Sequence, residues 1–176
     1  MNKQQPTNGT HRASVHHKKL RIGSDVEIAQ RILEDLSEQH GTIVHSEGAF
    51  WRYSDSKWES VPNEHVRLLV HAYDGAKFKT GSGRSSQVSL GKGRIDSVLY
   101  ECAARCTKPD YFENPPTGIN CASGFIRFDH AGTPHLETHH RDHRCRHILP
   151  GRWSLGVPHT PPEDSLLHRL LTGCFK

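Results

Sequence analysis

From Ser24 onward, apolar positions fall into periodic order. Ile28, Ala29, Ile32, Leu33 and Leu36 recur at helical spacing behind Ser24-Asp25-Val26-Glu27, whose Ser and Glu form a capping box, and the pattern stops at His40-Gly41. This predicts a helix over residues 25–39. Short aromatic and β-branched runs follow at 42–45, 49–53 and 57–61, separated by turns at Ser46-Glu47-Gly48 and Ser54-Asp55-Ser56, which is the pattern of a small antiparallel meander. Alternation puts Trp51 and Tyr53 on one face of it, with Trp58 on the next strand.

Pro62-Asn63 then reads as the cap of a second helix carrying Val66, Leu69, Val70 and Tyr73 on one face and ending at Asp74-Gly75. The Gly- and Ser-rich segment 76–93 reads as a loop. Ile95, Val98, Leu99, Cys102 and Cys106 mark a third helix that starts at Ser89 or Lys92 and is stopped by Lys108-Pro109. After an extended, Pro- and aromatic-rich stretch at 110–117, runs at 119–129 and 134–138 flank a turn at His130-Ala131-Gly132, the signal of a β-hairpin. Residues 150–162 are Pro-rich, and 163–171 form a last amphipathic helix with Leu166, Leu167, Leu170 and Leu171 together. The elements add up to an α+β fold, a small helical domain with antiparallel hairpins and a meander. The expected division is a disordered basic tail at 1–21, a domain at 22–150, and a linker with a lead-in helix at 151–176.

Charge changes the picture more than composition does. Residues 1–21 and 76–94 carry +5 each with no acid, against a net charge of +4, so the remainder of the chain is −6. Concentrating positive charge in two segments favours a polyanionic partner. The second segment contributes Lys77, Lys79, Arg84, Lys92 and Arg94 on a Gly- and Ser-rich backbone, suited to sequence-independent phosphate contact. The plainer alternative is a solvated loop. Fifteen histidines add charge below about pH 6.5, so nucleic-acid affinity is expected to strengthen on acidification.

No run approaches the roughly 18 apolar residues of a membrane span, and residues 1–21 lack the apolar core of a signal peptide. A soluble, cytoplasmic protein with no membrane partner is expected. Five irregularly spaced cysteines do not resemble a secreted disulfide framework, so reduced thiols are expected.

Several segments, in this order, resemble the poxvirus-type N-terminal domain of phage and plasmid primase-helicases. The helix at 25–39 and the meander with Phe50-Trp51-Arg52-Tyr53 and Trp58 are similar to its start. Residues 118–140 resemble its later hairpin, where the family shows Ile-Asn-x-x-Asn-Gly-x-x-Asp; here Ile119, Asn120 and Gly124 match, while Ser123 replaces the second Asn and Arg127 the Asp. The resemblance spans about 22–175 and implies a place between a primase region and a hexameric, ATP-driven superfamily three helicase. It implies DNA replication on a phage, plasmid or other mobile genetic element. It also implies single-stranded or duplex DNA, an adjoining helicase domain and possible homo-oligomerisation as partners. ATP and Mg are then expected only in the helicase domain.

The chemistry in the chain agrees with an accessory role. Neither Thr80-Gly81-Ser82-Gly83-Arg84 nor Gly91-Lys92-Gly93 fits the phosphate loop of an ATPase, and no carboxylate pair suits the two metals of primer synthesis. No G-x-S-x-G elbow supports a nucleophilic serine. No catalytic or metal-binding residue and no cofactor is therefore assigned.

Two features carry competing readings. His135, His139, His140, His143, Cys145 and His147 form either a zinc site of a nucleic-acid enzyme, with help from Cys121 or from Cys102 and Cys106, or a solvated or partly stacked polar segment interspersed with Arg141, Arg144 and Arg146. Strong zinc spacing is missing. Trp51, Tyr53 and Trp58 serve either to stack bases or to fill the meander's core. The leading reading is a non-catalytic, collar-like domain that positions DNA and subunits for an adjoining motor. An interaction module without DNA contact is the third possibility.

Overall fold

The computed structural model describes residues 20–153. The first 19 residues, the terminal helix expected at 163–171 and Cys174 lie outside the described residues. What is described is α+β and divides into two units. One comprises residues 20–116 with His140–Arg146, the other Thr117–His139 with residues 147–153.

In the first unit, α1 spans Asp25–His40. Ser24 Oγ accepts from the Glu27 N–H at 3.2 Å. The Glu27 carboxylate reaches further back than a simple capping box, accepting from the backbone N–H groups of Arg21, Ile22 and Gly23 at 2.6, 2.8 and 2.8 Å. Burial by itself would raise its pKa, but these three donors hold the carboxyl below the usual range. Gly41, at φ +72°, ends the helix in a conformation glycine adopts without strain.

Strands β1 (Ile43–Ser46), β2 (Ala49–Ser54) and β3 (Lys57–Val61) form an antiparallel sheet in that order. The β1–β2 turn has positive φ at both Glu47 and Gly48, the condition for a type I′ hairpin. Helix α2 is Asn63–His71 and α3 is Lys92–Cys106. Pro62 occupies the cap position of α2 and makes no side-chain cap, so Asn63 is simply the first helical residue.

The core joins the apolar faces of the three helices: Ile28, Ile32 and Leu36 from α1, Val66 and Val70 from α2, and Ile95, Val98 and Cys102 from α3. Small side chains let α1 and α3 approach, and the Cys102 thiol lies 3.8 Å from the Ala29 carbonyl. Burial pushes Cys102 up to about 12 and Cys106 to about 11, so both are protonated core thiols.

The segment read as a loop holds a hairpin, β4 (Lys77–Lys79) with β5 (Ser85–Gln87). Phe78 is its one apolar strand residue, so hydrophobic alternation had almost nothing to register. In the second unit, β6 (Gly118–Cys121), β7 (Gly124–Phe128) and β8 (Pro134–Glu137) make a second antiparallel sheet. The expected single strand at 119–129 is two strands folded back at Ala122-Ser123. Gly124 permits the fold: at φ +149°, a Cβ there would sit 2.3 Å from the Glu137 carbonyl oxygen. Residues 149–153 stay bonded to this unit, Leu149 N–H donating to the Asn120 carbonyl and Ala122 N–H to that of Gly151.

Candidate nucleic-acid interface

The base of the β4–β5 hairpin is tied by reciprocal backbone bonds, Gly75 N–H to the Val88 carbonyl and Val88 N–H to that of Ala76, each 2.8 Å. Its tip closes through Thr80 and Arg84, with Gly83 at φ +78° in the turn. On the inner face, Phe78 lies against Gly23. A Cβ at Gly23 would stand 2.5 Å from Phe78 Cδ1, and φ there is +69°, so glycine is required on both counts.

The outer face carries the charge. Cross-strand register places Lys77 opposite Gln87 and Lys79 opposite Ser85, all exposed. The two lysines are two strand rises apart, roughly 6.7 Å. Arg84 is exposed at the tip and Lys92 opens α3. None of these four forms an ion pair with another described residue.

Arg94 differs from the other four. Its Nε donates to Asp25 Oδ1 at 2.8 Å, and its other nitrogens bond the carbonyls of Gly23 and Ser89. It therefore locks the start of α3 to the start of α1 and to the glycine on which Phe78 rests. Of the five cations expected to contact phosphate, four are displayed and one is built into the support.

Beside β4 lies a surface cavity of about 550 Å³, lined by Leu20, Arg21, Lys77, Phe78, Lys79 and Ser85. In sequence Arg21 closes the basic tail; the fold brings it to the hairpin. A second concavity of about 620 Å³ near Thr42 includes Arg52 and Arg141, both already engaged: Arg52 with His40 Nδ1 at 2.8 Å and Glu59 at 3.1 Å, Arg141 with Thr42 Oγ1 at 2.8 Å.

The aromatic group is core. Trp58 is 1% exposed and packs with Val44 and Phe112, flanked by Trp51, Tyr53 and Tyr111. Its Nε1 donates to the Arg141 carbonyl at 2.9 Å and its backbone N–H to that of Cys145 at 2.7 Å. The His140–Arg146 segment thus closes this core as a clasp. Arg146 stacks over Trp51 and Phe112, with Cζ 5.4 and 5.0 Å from the ring centroids, and reaches Glu47 at 2.6 Å. Arg144 covers Tyr111 at 5.3 Å. The stacked reading of these arginines holds, but their role as a clasp had no periodic signal in the sequence.

The histidines of 135–147 are dispersed. His135 and His139 belong to the second unit, bonded to Asp129 and to the Cys121 carbonyl, whereas His140, His143 and Cys145 belong to the first. Among the described residues no three His, Cys, Asp or Glu side chains are placed to share a metal ion.

An α+β domain with an exposed basic hairpin, two helices locked beneath it and a separate small sheet is the class of module this chain presents. A family model described as D5 N terminal like matches residues 29–172, and the chain belongs to that family, the N-terminal domain of D5-type primase-helicases. It thus represents the primase-helicase N-terminal region of the replication machinery. No curated protein and no solved structure matches the chain significantly.

The residues that carried the resemblance have physical roles in the second unit. Asn120 is buried and donates from Nδ2 to the His147 carbonyl at 2.9 Å. Ser123, where the pattern has Asn, receives the Trp153 N–H at 2.9 Å and donates to its carbonyl at 3.2 Å. Arg127, where the pattern has Asp, makes two bonds to Glu137 at 2.7 and 3.2 Å across β7 and β8. Both departures keep a polar contact, with local partners.

Proposed function

We propose that this domain is a non-catalytic, collar-like element that holds DNA by its backbone and helps align subunits for an adjoining hexameric ATPase. Lys77, Lys79, Arg84 and Lys92 supply the phosphate contacts, and Arg94 positions the hairpin that bears three of them. The observation that carries this reading is the outer face of the hairpin, where exposed cations stand without acidic partners among the described residues on a support held by Phe78, Gly23 and Arg94. Such a surface reads charge and not base sequence.

Binding should therefore be weak, indifferent to sequence and steep in salt. Four phosphate contacts give a slope of log K against log salt of about −2.8 for single strands. Anisotropy titrations over a salt series check this. Replacing all four cations with Ala should flatten the slope, and an unchanged slope in that variant would place the contact elsewhere.

A further inference from the structure

We propose that the cavity beside β4 is a nucleobase slot, in which one base of a single-stranded nucleic acid stacks on Phe78 while Arg21, Lys77 and Lys79 hold the flanking phosphates. The proposal rests on the backbone-binding reading above and adds to it the single strand as ligand and the base as a contacted group.

The lining has two parts of different chemistry. Leu20, only 4% exposed, and Phe78 supply the apolar part of the lining, and Arg21, Lys77 and Lys79, the lysines from the opposite face of β4, supply its cationic part, with no acid among the described lining residues. An aromatic ring flanked by cations matches a flat apolar base joined to anionic phosphates. At about 550 Å³ the space falls within the range of small-molecule pockets.

The ring is also held in place. Gly23 backs it at a distance no other residue allows, and Arg94 fixes Gly23 through its carbonyl while Glu27 fixes it through its N–H. A ring that cannot retreat is preorganised for stacking and needs little further ordering on binding. Charge selects the occupant. The 19 residues preceding Leu20 carry Lys3, Arg12, Lys18 and Lys19 and no acid, so the adjoining sequence offers no carboxylate to compete with a polyanion. A phenyl face has no hydrogen-bonding groups, so the slot accepts any base and leaves the binding indifferent to sequence.

The test compares an oligothymidine with an abasic deoxyribose-phosphate oligomer of equal length on the full chain. The abasic strand should bind with the same salt slope but at least about 5-fold more weakly, the lower end of a base–aromatic stack. Phe78→Leu should reduce oligothymidine binding to the abasic level and leave abasic binding unchanged, and Phe78→Tyr should restore the difference. Photolysis of a 5-iodouracil oligonucleotide on the unmodified protein should crosslink Phe78, which decides the matter even if the Leu variant does not fold. Equal binding of the two strands with an intact salt slope, or crosslinks confined to other residues, would overturn the slot while leaving the backbone-binding reading in force. Absence of salt-dependent binding to either strand would overturn both.

Discussion

Two cation-bearing segments of this chain meet opposite fates. The hairpin region displays Lys77, Lys79, Arg84 and Lys92 to solvent. In the clasp His140–Arg146, every arginine is engaged: Arg141 with Thr42, Arg144 with Tyr111 and the Glu113 carbonyl, and Arg146 with Glu47, Trp51 and Phe112. The difference lies in the surroundings each backbone reaches. The clasp runs over an aromatic cluster whose faces attract guanidinium groups and whose buried Trp58 needs carbonyl acceptors. The hairpin turns one phenylalanine inward, and the strand residues of its other side, Lys77, Lys79, Ser85 and Gln87, are exposed. Positive charge in a sequence therefore counts as an interface only where the fold leaves it unused.

The comparison breaks most decisively at Trp58. Trp58→Ala should cost about 3–5 kcal/mol in urea unfolding, since it empties the clasp's core and removes the donor to Arg141. A loss below 1 kcal/mol would mean that the clasp does not depend on that core. Within the clasp, Arg146→Ala should cost about 1 kcal/mol, because the group is partly exposed and its stacking outweighs its salt bridge. The salt slope of DNA binding should stay as it was. A flatter slope in that variant would show that the clasp also contacts phosphate.

Acidification sharpens the contrast from another side. Burial, then repulsion from Arg52 and His65, lowers His40 below the ordinary 6.5, and burial alone lowers His45. Between the folded value and 6.5 the unfolded chain binds more protons, so stability is fully present above 6.5 and declines as pH falls toward and through the folded pKa. The thermal midpoint should drop from pH 7.5 to 5.5, and His40→Asn should make that drop shallower. The lowered carboxyls Glu27, Glu59 and Asp129 act only at more acidic pH. A midpoint that is level from 7.5 to 5.5 would contradict the neutral His40 that accepts from Arg52.

The smallest effect belongs to the hairpin lysines. Changing Lys77 and Lys79 to Ala should leave stability within about 0.5 kcal/mol, as expected for exposed side chains, while reducing the salt slope by about 1.4. A stability loss as large as that of Arg146→Ala would mean the hairpin lysines support the fold.

The helices, the first meander and the family resemblance were legible because each depends on neighbours in sequence. A capping box, a 3.6-residue apolar stripe and a positive-φ turn at Glu47-Gly48 are local devices, readable without knowing what lies opposite. The aromatic core was also within reach, since Trp51, Tyr53 and Trp58 are too large and apolar to be left in water together. Tertiary structure alone decided the rest. A three-residue strand with one phenylalanine has no periodicity, and Gly23 is recognised as a required glycine only once Phe78 stands on it. The separation of Arg94 from its four neighbours in charge depended on Asp25, 69 residues away in the chain. Whether a cation is displayed or consumed is set by contacts of that range, and composition cannot register them.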